Sequence, residues 1–190
     1  LEGYVQAGSN GLSLRAAVFR NWFDNFIYLD ETGLEEDELP VFVHRQQGAT
    51  HTGAEAEAVV PLFAAGGGRL FGDVGGSWVR ATLDDGDPVP RIPPLSAAGG
   101  LEWRSARFDL RGEVEWFDDQ DRVAEFETAT EGFTHVNLAA RIRPMGTDAI
   151  SILLQVDNLF DEEGRRHASF TKDFVPLAGR NVKLTLRTSL

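Results

Sequence analysis

The last ten residues, Asn181-Val-Lys-Leu-Thr-Leu-Arg-Thr-Ser-Leu190, alternate without a break. Val182, Leu184, Leu186 and Leu190 fall on one face, and Lys183, Thr185, Arg187 and Ser189 on the other. Side chains of a strand point to opposite faces at each step, so this stretch is a strand with one apolar and one polar face. Placed last in the chain, it reads as the closing edge of an outer-membrane β-barrel.

The same period recurs upstream. Leu12, Leu14, Ala16 and Val18 oppose Ser13, Arg15 and Ala17, and Ala54, Ala56, Ala58 and Val60 oppose Glu55, Glu57 and Val59. Leu110, Val114 and Trp116 oppose Asp109, Arg111, Glu113 and Glu115. Leu138 and Ile142 oppose Arg141 and Arg143, and Ile152, Leu154 and Val156 oppose Gln155 and Asp157. A soluble β-sandwich binding module turns the apolar faces inward, whereas a membrane barrel turns them to lipid and lines its lumen with the polar ones.

The connections favour the barrel. Residues 9–11, 63–68, 104–107 and 143–148 are short, whereas 30–40, 83–94, 117–133 and 159–179 are long, and the two kinds alternate. Tight turns at one end of a sheet and long loops at the other match periplasmic turns and extracellular loops. Trp22, Phe23, Phe26, Tyr28, Trp78, Trp103, Trp116 and Phe117 lie near strand ends, where an interfacial girdle is expected. The expected fold is all-β: an antiparallel transmembrane barrel segment of about nine strands over residues 1–190, with no internal domain boundary.

Composition excludes several alternatives. No apolar stretch is long enough for a spanning helix, and there is no cysteine for disulfides or thiolate ligands. The net charge of −12, from 30 acidic and 18 basic residues, argues against nucleic acid as a partner. The acid concentrates at residues 30–38, 84–87, 118–121 and 161–163, where the strand pattern stops, and reads first as solvated loop. These loops are candidates for a divalent cation that bridges lipopolysaccharide, without the ligand spacing of a calcium loop. No nucleophile elbow, phosphate loop or metalloprotease motif is present, and the expectation is that the chain is not an enzyme.

The C-terminal stretch 156–190 carries Asn158, Leu159, Phe160 and Asp161 at the end of one strand, then Arg165, Arg166, His167 and Pro176, and Gly179 with Arg180 before the last strand. With residues 20–33, 53–58 and 90–94 as earlier stations in the same order, the chain resembles the C-terminal barrel portion of a TonB-dependent outer-membrane receptor. The resemblance implies location in the outer membrane of a Gram-negative bacterium, contact with lipid and lipopolysaccharide, and insertion by the barrel assembly machinery. It implies a scarce nutrient as cargo, with an iron–siderophore complex first and haem, zinc or copper as alternatives, and no resident cofactor.

Such transporters close with about 22 strands around a plug. On that reading the early strands, the plug and the N-terminal segment that touches TonB lie outside this sequence, and the chain alone lacks transport activity. The family usually ends on an aromatic residue, where this chain has Leu190.

Two sets of functional residues are expected. Lumen-facing positions are Arg15, Glu55, Glu57, Asp109, Arg111, Glu113, Glu115, Arg141, Arg143, Gln155, Asp157, Lys183 and Arg187, read as a ladder of compensating charges that also contacts a plug. His44 and His51 flank the 30–47 segment and form, with Asp37 or Glu38, the candidate soft-metal site. His135 is placed on a polar strand face, and His167 in loop architecture.

Overall fold

The computed structural model describes residues 1–9, 11–147 and 149–188. Asn10 in the first short turn, Asp148 in the fourth, and the reading of Ser189 and Leu190 as the end of the closing strand lie outside the described residues. Nine strands are present among the described residues, in the order β1 (Glu2–Ser9), β2 (Leu12–Glu36), β3 (Leu39–Ala65), β4 (Gly68–Leu83), β5 (Ser96–Ser105), β6 (Phe108–Phe117), β7 (Phe133–Ile142), β8 (Ile150–Asp157) and β9 (Asn181–Thr188). They form one sheet in sequence order, with each strand antiparallel to the next.

The register carries one face through the whole sheet. Arg15 pairs with Glu57, Glu57 with Gly75, Gly75 with Ala98, Ala98 with Glu115 and Glu115 with His135. A second row runs from Arg111 through Ala139 and Gln155 to Lys183. The opposite face holds Leu14, Ala58, Val74, Gly99, Val114 and Val136 in one continuous row.

That apolar face has no second layer. Val74 is 59% exposed, Leu101 55%, Leu110 50% and Leu184 73%. A soluble sandwich buries such a face against a second sheet, so an uncovered apolar band across nine strands points to lipid as the missing solvent.

One expected loop is absent. Residues 30–40 are strand rather than loop: Asp30 pairs with Val43, Glu31 with Phe42, Glu35 with Pro40 and Glu36 with Leu39. Asp37 and Glu38 alone make the turn, at φ of 50° and 65°. Two consecutive residues in the left-handed region give the turn whose twist matches a hairpin. The acids from Glu35 to Glu38 are exposed at the tip of a tall hairpin, while Asp30 and Glu31 below them are partly covered. The β4–β5, β6–β7 and β8–β9 connections are long as expected, and all rise from the same end of the sheet.

A bulge between Phe23 and Phe26 shifts β2 against β3. One extra residue reverses which side chains face which way. Phe26 and Tyr28 thereby join the polar face, where with Ile92 they cover the small cluster of Ala49, Ala81, Leu83 and Val89. Trp22, Trp78 and Trp116 stay exposed on the apolar side.

Candidate functional site: the charged face and the loop crown

Of the thirteen positions expected to face a lumen, twelve share one polar face of the sheet, and Arg143, just past β7, bonds to Asp109 of that face. Arg15 Nη1 donates to Glu57 Oε1 at 2.7 Å. Arg111 forks onto Asp73 at 2.6 and 3.0 Å and also reaches Glu113. Arg143 holds Asp109 at 3.1 Å, Asn137 donates to Glu115 at 2.7 Å, and Lys183 holds Asp157 at 2.9 Å. The planar guanidinium matches a carboxylate edge with two parallel bonds, which explains why arginine predominates here. Arg15 and Glu57 are both more than half exposed, so that pair adds little stability, while the Arg111 and Arg143 forks are better shielded.

Small residues hollow the centre of this face. Gly75, Ser77, Ser96 and Ala98 floor a recess of ≈ 480 Å³, with Arg15, Glu55, Glu57 and Glu115 around it. Its shape is set by missing side chains, and its rim by charge.

At the long-loop end, three connections meet on one carboxylate. Glu127 sits in the β6–β7 connection with its side chain 7% exposed. The backbone N–H of Arg91, from the β4–β5 connection, donates to Oε1 at 2.9 Å, and that of Ala124 donates to Oε2 at 3.1 Å. Lys172, from the β8–β9 connection, places Nζ 3.3 Å from Oε1 and donates to the Thr128 carbonyl at 2.6 Å. His167 Nε2 lies 3.2 Å from the same carboxylate, out of line for a full hydrogen bond, and its Nδ1 meets Thr130 Oγ1 at 2.9 Å.

The Arg91 guanidinium bridges to the tall hairpin. It donates to the Leu29 carbonyl at 2.8 Å and stacks 4.2 Å from the Phe170 ring centroid and 5.7 Å from that of Phe42. Phe126 lies against Gly33 so closely that a Cβ there would come within 2.8 Å of the ring. Burial by itself would raise the Glu127 carboxyl, but His167, the Ala124 and Arg91 N–H groups and Lys172 outweigh it and hold the group down at about 2. Across the crown, burial followed by the charges of Asp173 and Glu127 pushes Glu31 upward.

The residues Asn158, Leu159, Phe160, Asp161, Gly179 and Arg180 close the neck of the β8–β9 connection. Asn158, only 3% exposed, accepts from the Glu162 N–H at 3.0 Å and donates to the Glu162 carbonyl at 2.8 Å. Asp161 Oδ1 accepts from the Arg180 N–H at 2.7 Å, and a Cβ on Gly179 would stand 2.7 Å from that same oxygen. The Leu159 N–H pairs with the Val136 carbonyl, and Phe160 stands 71% exposed. His135 is buried beside Phe133 on the polar face, with Nε2 3.3 Å from the Glu162 carbonyl.

The four candidate metal ligands do not converge. His44 pairs with Leu29 and His51 with Asn21, seven positions apart along β3 and on opposite faces, while Asp37 and Glu38 occupy the distant hairpin turn. His51 lies between the Phe23 and Phe26 rings, at 5.2 and 4.9 Å. No group of three or more His, Asp or Glu side chains among the described residues could hold a metal ion. The extended backbone of β3, which carries both histidines, is the reason: a strand cannot fold its two ends together.

The family model of the TonB-dependent receptor-like β-barrel matches residues 2–159. The chain belongs to the TonB-dependent receptor β-barrel family. Among solved structures, the copper transporter OprC superposes with a TM-score of 0.79 at 21% identity, covering 94% of this chain and 30% of that one. The FrpB iron transporter of Neisseria meningitidis gives a TM-score of 0.70 at 15% identity, over 95% and 29%. The ferric enterobactin receptor PfeA of Pseudomonas aeruginosa, as a mutant bound to enterobactin, gives 0.66 at 20% identity, over 97% and 30%. The chain therefore spans about a third of the length of these receptors. A search of curated proteins finds no match.

Family and neighbours are transport receptors rather than enzymes, and TonB-dependent receptor barrels are outer-membrane proteins of Gram-negative bacteria. The nine-stranded sheet is thus an antiparallel transmembrane barrel segment, with its short turns at the periplasmic end and its long connections outside.

Proposed function

We propose that the chain forms the C-terminal barrel part of an outer-membrane receptor that imports a scarce nutrient, with an iron–siderophore complex as cargo. The observation that carries this reading is the pairing of one uncovered apolar face with one continuous, charge-compensated face across all nine strands. In that orientation the polar face lines the lumen, Arg15, Arg111, Arg143 and their acids form its inner ladder, and the recess over Gly75 and Ala98 receives part of a plug. The crown around Glu127 forms part of the outer mouth.

Transport by the complete receptor depends on TonB. Haem, zinc or copper is the second cargo reading. It draws on the copper transporter among the structural neighbours, and the separation of His44 from His51 weighs against a metal ion held by this part of the barrel.

The test is uptake of a ⁵⁵Fe-loaded siderophore panel by cells that carry the complete receptor, with and without TonB. Accumulation of one ferric chelate only in TonB-positive cells supports the reading. Binding of copper or haem with no ferric chelate taken up replaces the cargo, and a water-soluble monomer that never enters membranes overturns the barrel.

A further inference from the structure

Charge runs in opposite senses at the two ends of the sheet. The β6–β7 connection, at the long-loop end, holds six acids over residues 118–132 against the one arginine Arg122. At the short-turn end the balance reverses. Residues 62–71 contain Arg69, residues 103–108 contain Arg104 and Arg107, and neither stretch has an acid. Arg141 near the end of β7 and Arg143 just past it lie at the same level.

The register sets three of these arginines in one row of the polar face. Arg69 pairs directly with Arg104, Arg104 with Asp109, and Asp109 with Arg141. Neighbouring strands stand about 4.8 Å apart, so the row spans roughly 15 Å of backbone. The row above it is balanced, Arg111 by Asp73 and Glu113 and Lys183 by Asp157. This one is not. Arg141 and Arg143 both draw on Asp109, Arg104 shares Glu102 with Arg111, and no carboxylate lies within ion-pair distance of Arg69 or Arg107 among the described residues.

Like charges directly opposite each other on neighbouring strands repel. Arg104 is nevertheless fixed beside Arg69: Nη2 donates to Glu102 at 2.7 Å, and the Phe71 ring centroid lies 4.8 Å from its guanidinium carbon. Its side chain stays 57% exposed and that of Arg141 46%. A guanidinium held next to a second one, with no acid between them, is an arrangement that an anion from outside the chain completes.

We infer that this row binds a solute carrying two or more carboxylates at the short-turn mouth of the lumen. One carboxylate lies between Arg69 and Arg104 in charge-assisted contact with both, and a second reaches Arg141, two strands beyond Arg104. Rings of charged side chains set the sign of the ion a pore passes. The inference rests on the lumen orientation proposed above and adds a charge class to it: an anionic chelate finds its last contact here before release to the periplasm, and a cationic one meets repulsion.

The test titrates the complete receptor, purified in detergent micelles, with iron-free citrate and with its neutral trimethyl ester by calorimetry. Low ionic strength is used, because salt screens exposed charges. Arg69→Gln/Arg104→Gln is compared with Arg69→Lys/Arg104→Lys, which keeps the charge, and with Arg45→Gln, an exposed arginine of the tall hairpin at the other end. Citrate is expected to bind the native receptor and Arg45→Gln alike, and to bind the glutamine pair roughly tenfold more weakly. The lysine pair should fall between them, and the ester should bind none.

Absence of citrate binding, equal binding of the ester, or an unchanged glutamine pair overturns the inference and leaves the barrel in place, as a heat-modifiable band of each variant would show. A hexaglutamate peptide that binds more tightly than citrate, and is lost in the glutamine pair, reassigns the row to an acidic polypeptide. A native receptor with no folded band in micelles removes the lumen orientation and this inference together.

Discussion

Glu127 shows how much one side chain can organise. Its carboxylate receives backbone and cationic donors from two other connections, so a neutral replacement leaves Lys172, itself 4% exposed, without its counter-charge. Breaking a buried pair from one side costs about 3–5 kcal/mol. Glu127→Gln is expected to lose much of the hydrogen-exchange protection at 118–132 and 165–175 while the strands keep theirs. The pH dependence has a definite sign. The folded carboxyl is depressed from 4.5 to about 2, so its contribution is complete above 4.5 and is lost as the pH falls from there toward 2. Pepsin, active throughout that window, is expected to cut the β6–β7 and β8–β9 connections increasingly below pH 4.5 in the native protein. In Glu127→Gln the cutting should be nearly independent of pH.

Sequence patterns are poor at finding such a residue. Glu127 and Lys172 are 45 positions apart, in connections with no period, and each by itself resembles a solvated loop charge. Lys172 is one of only two lysines in the chain, the sole compositional hint.

Among the elements, the β2–β3 hairpin departs furthest from its sequence reading. The strands of 8 to 10 residues in β5 through β9 are of membrane-crossing length, whereas β2 has 25 and β3 has 27. Period-two patterning located both strands through their lower halves. It failed above Trp22, where the bulge reverses the faces and acidic residues take over on both sides. The turn makes this hairpin testable. Asp37 and Glu38 both occupy the left-handed region, which costs an ordinary residue about 1–2 kcal/mol. Glu38→Gly is expected to increase protection of the amides from Thr32 to Phe42, measured by exchange mass spectrometry. An alanine at Gly53 is expected to do the reverse lower down, because its Cβ would stand 2.3 Å from the Phe19 ring and 2.8 Å from the Trp78 carbonyl oxygen. Crowding of that kind costs about 1–3 kcal/mol and is read as a lower unfolding midpoint in detergent.

At the scale of the whole molecule, the two faces of the sheet set opposite rules for substitution. An arginine at Val114, in the middle of the apolar band, faces lipid and costs about 2–4 kcal/mol. A glutamate at Gln155 stands directly opposite Lys183 on the polar face and is nearly neutral. The yield of heat-modifiable protein after refolding is expected to fall sharply for Val114→Arg and to change little for Gln155→Glu. Strand number, order and the division between faces were legible in the sequence because alternation is a local property of each strand. The lateral relations were not, since pairing through Thr52 alone brings Arg20 beside Arg80, sixty positions later.

The crown ties the β2–β3 hairpin and three long connections to one another instead of leaving each free to move. A rim fastened in this way moves as one body, so that loosening any single tether, whether at Glu127, Arg91 or Lys172, unfastens all four connections together.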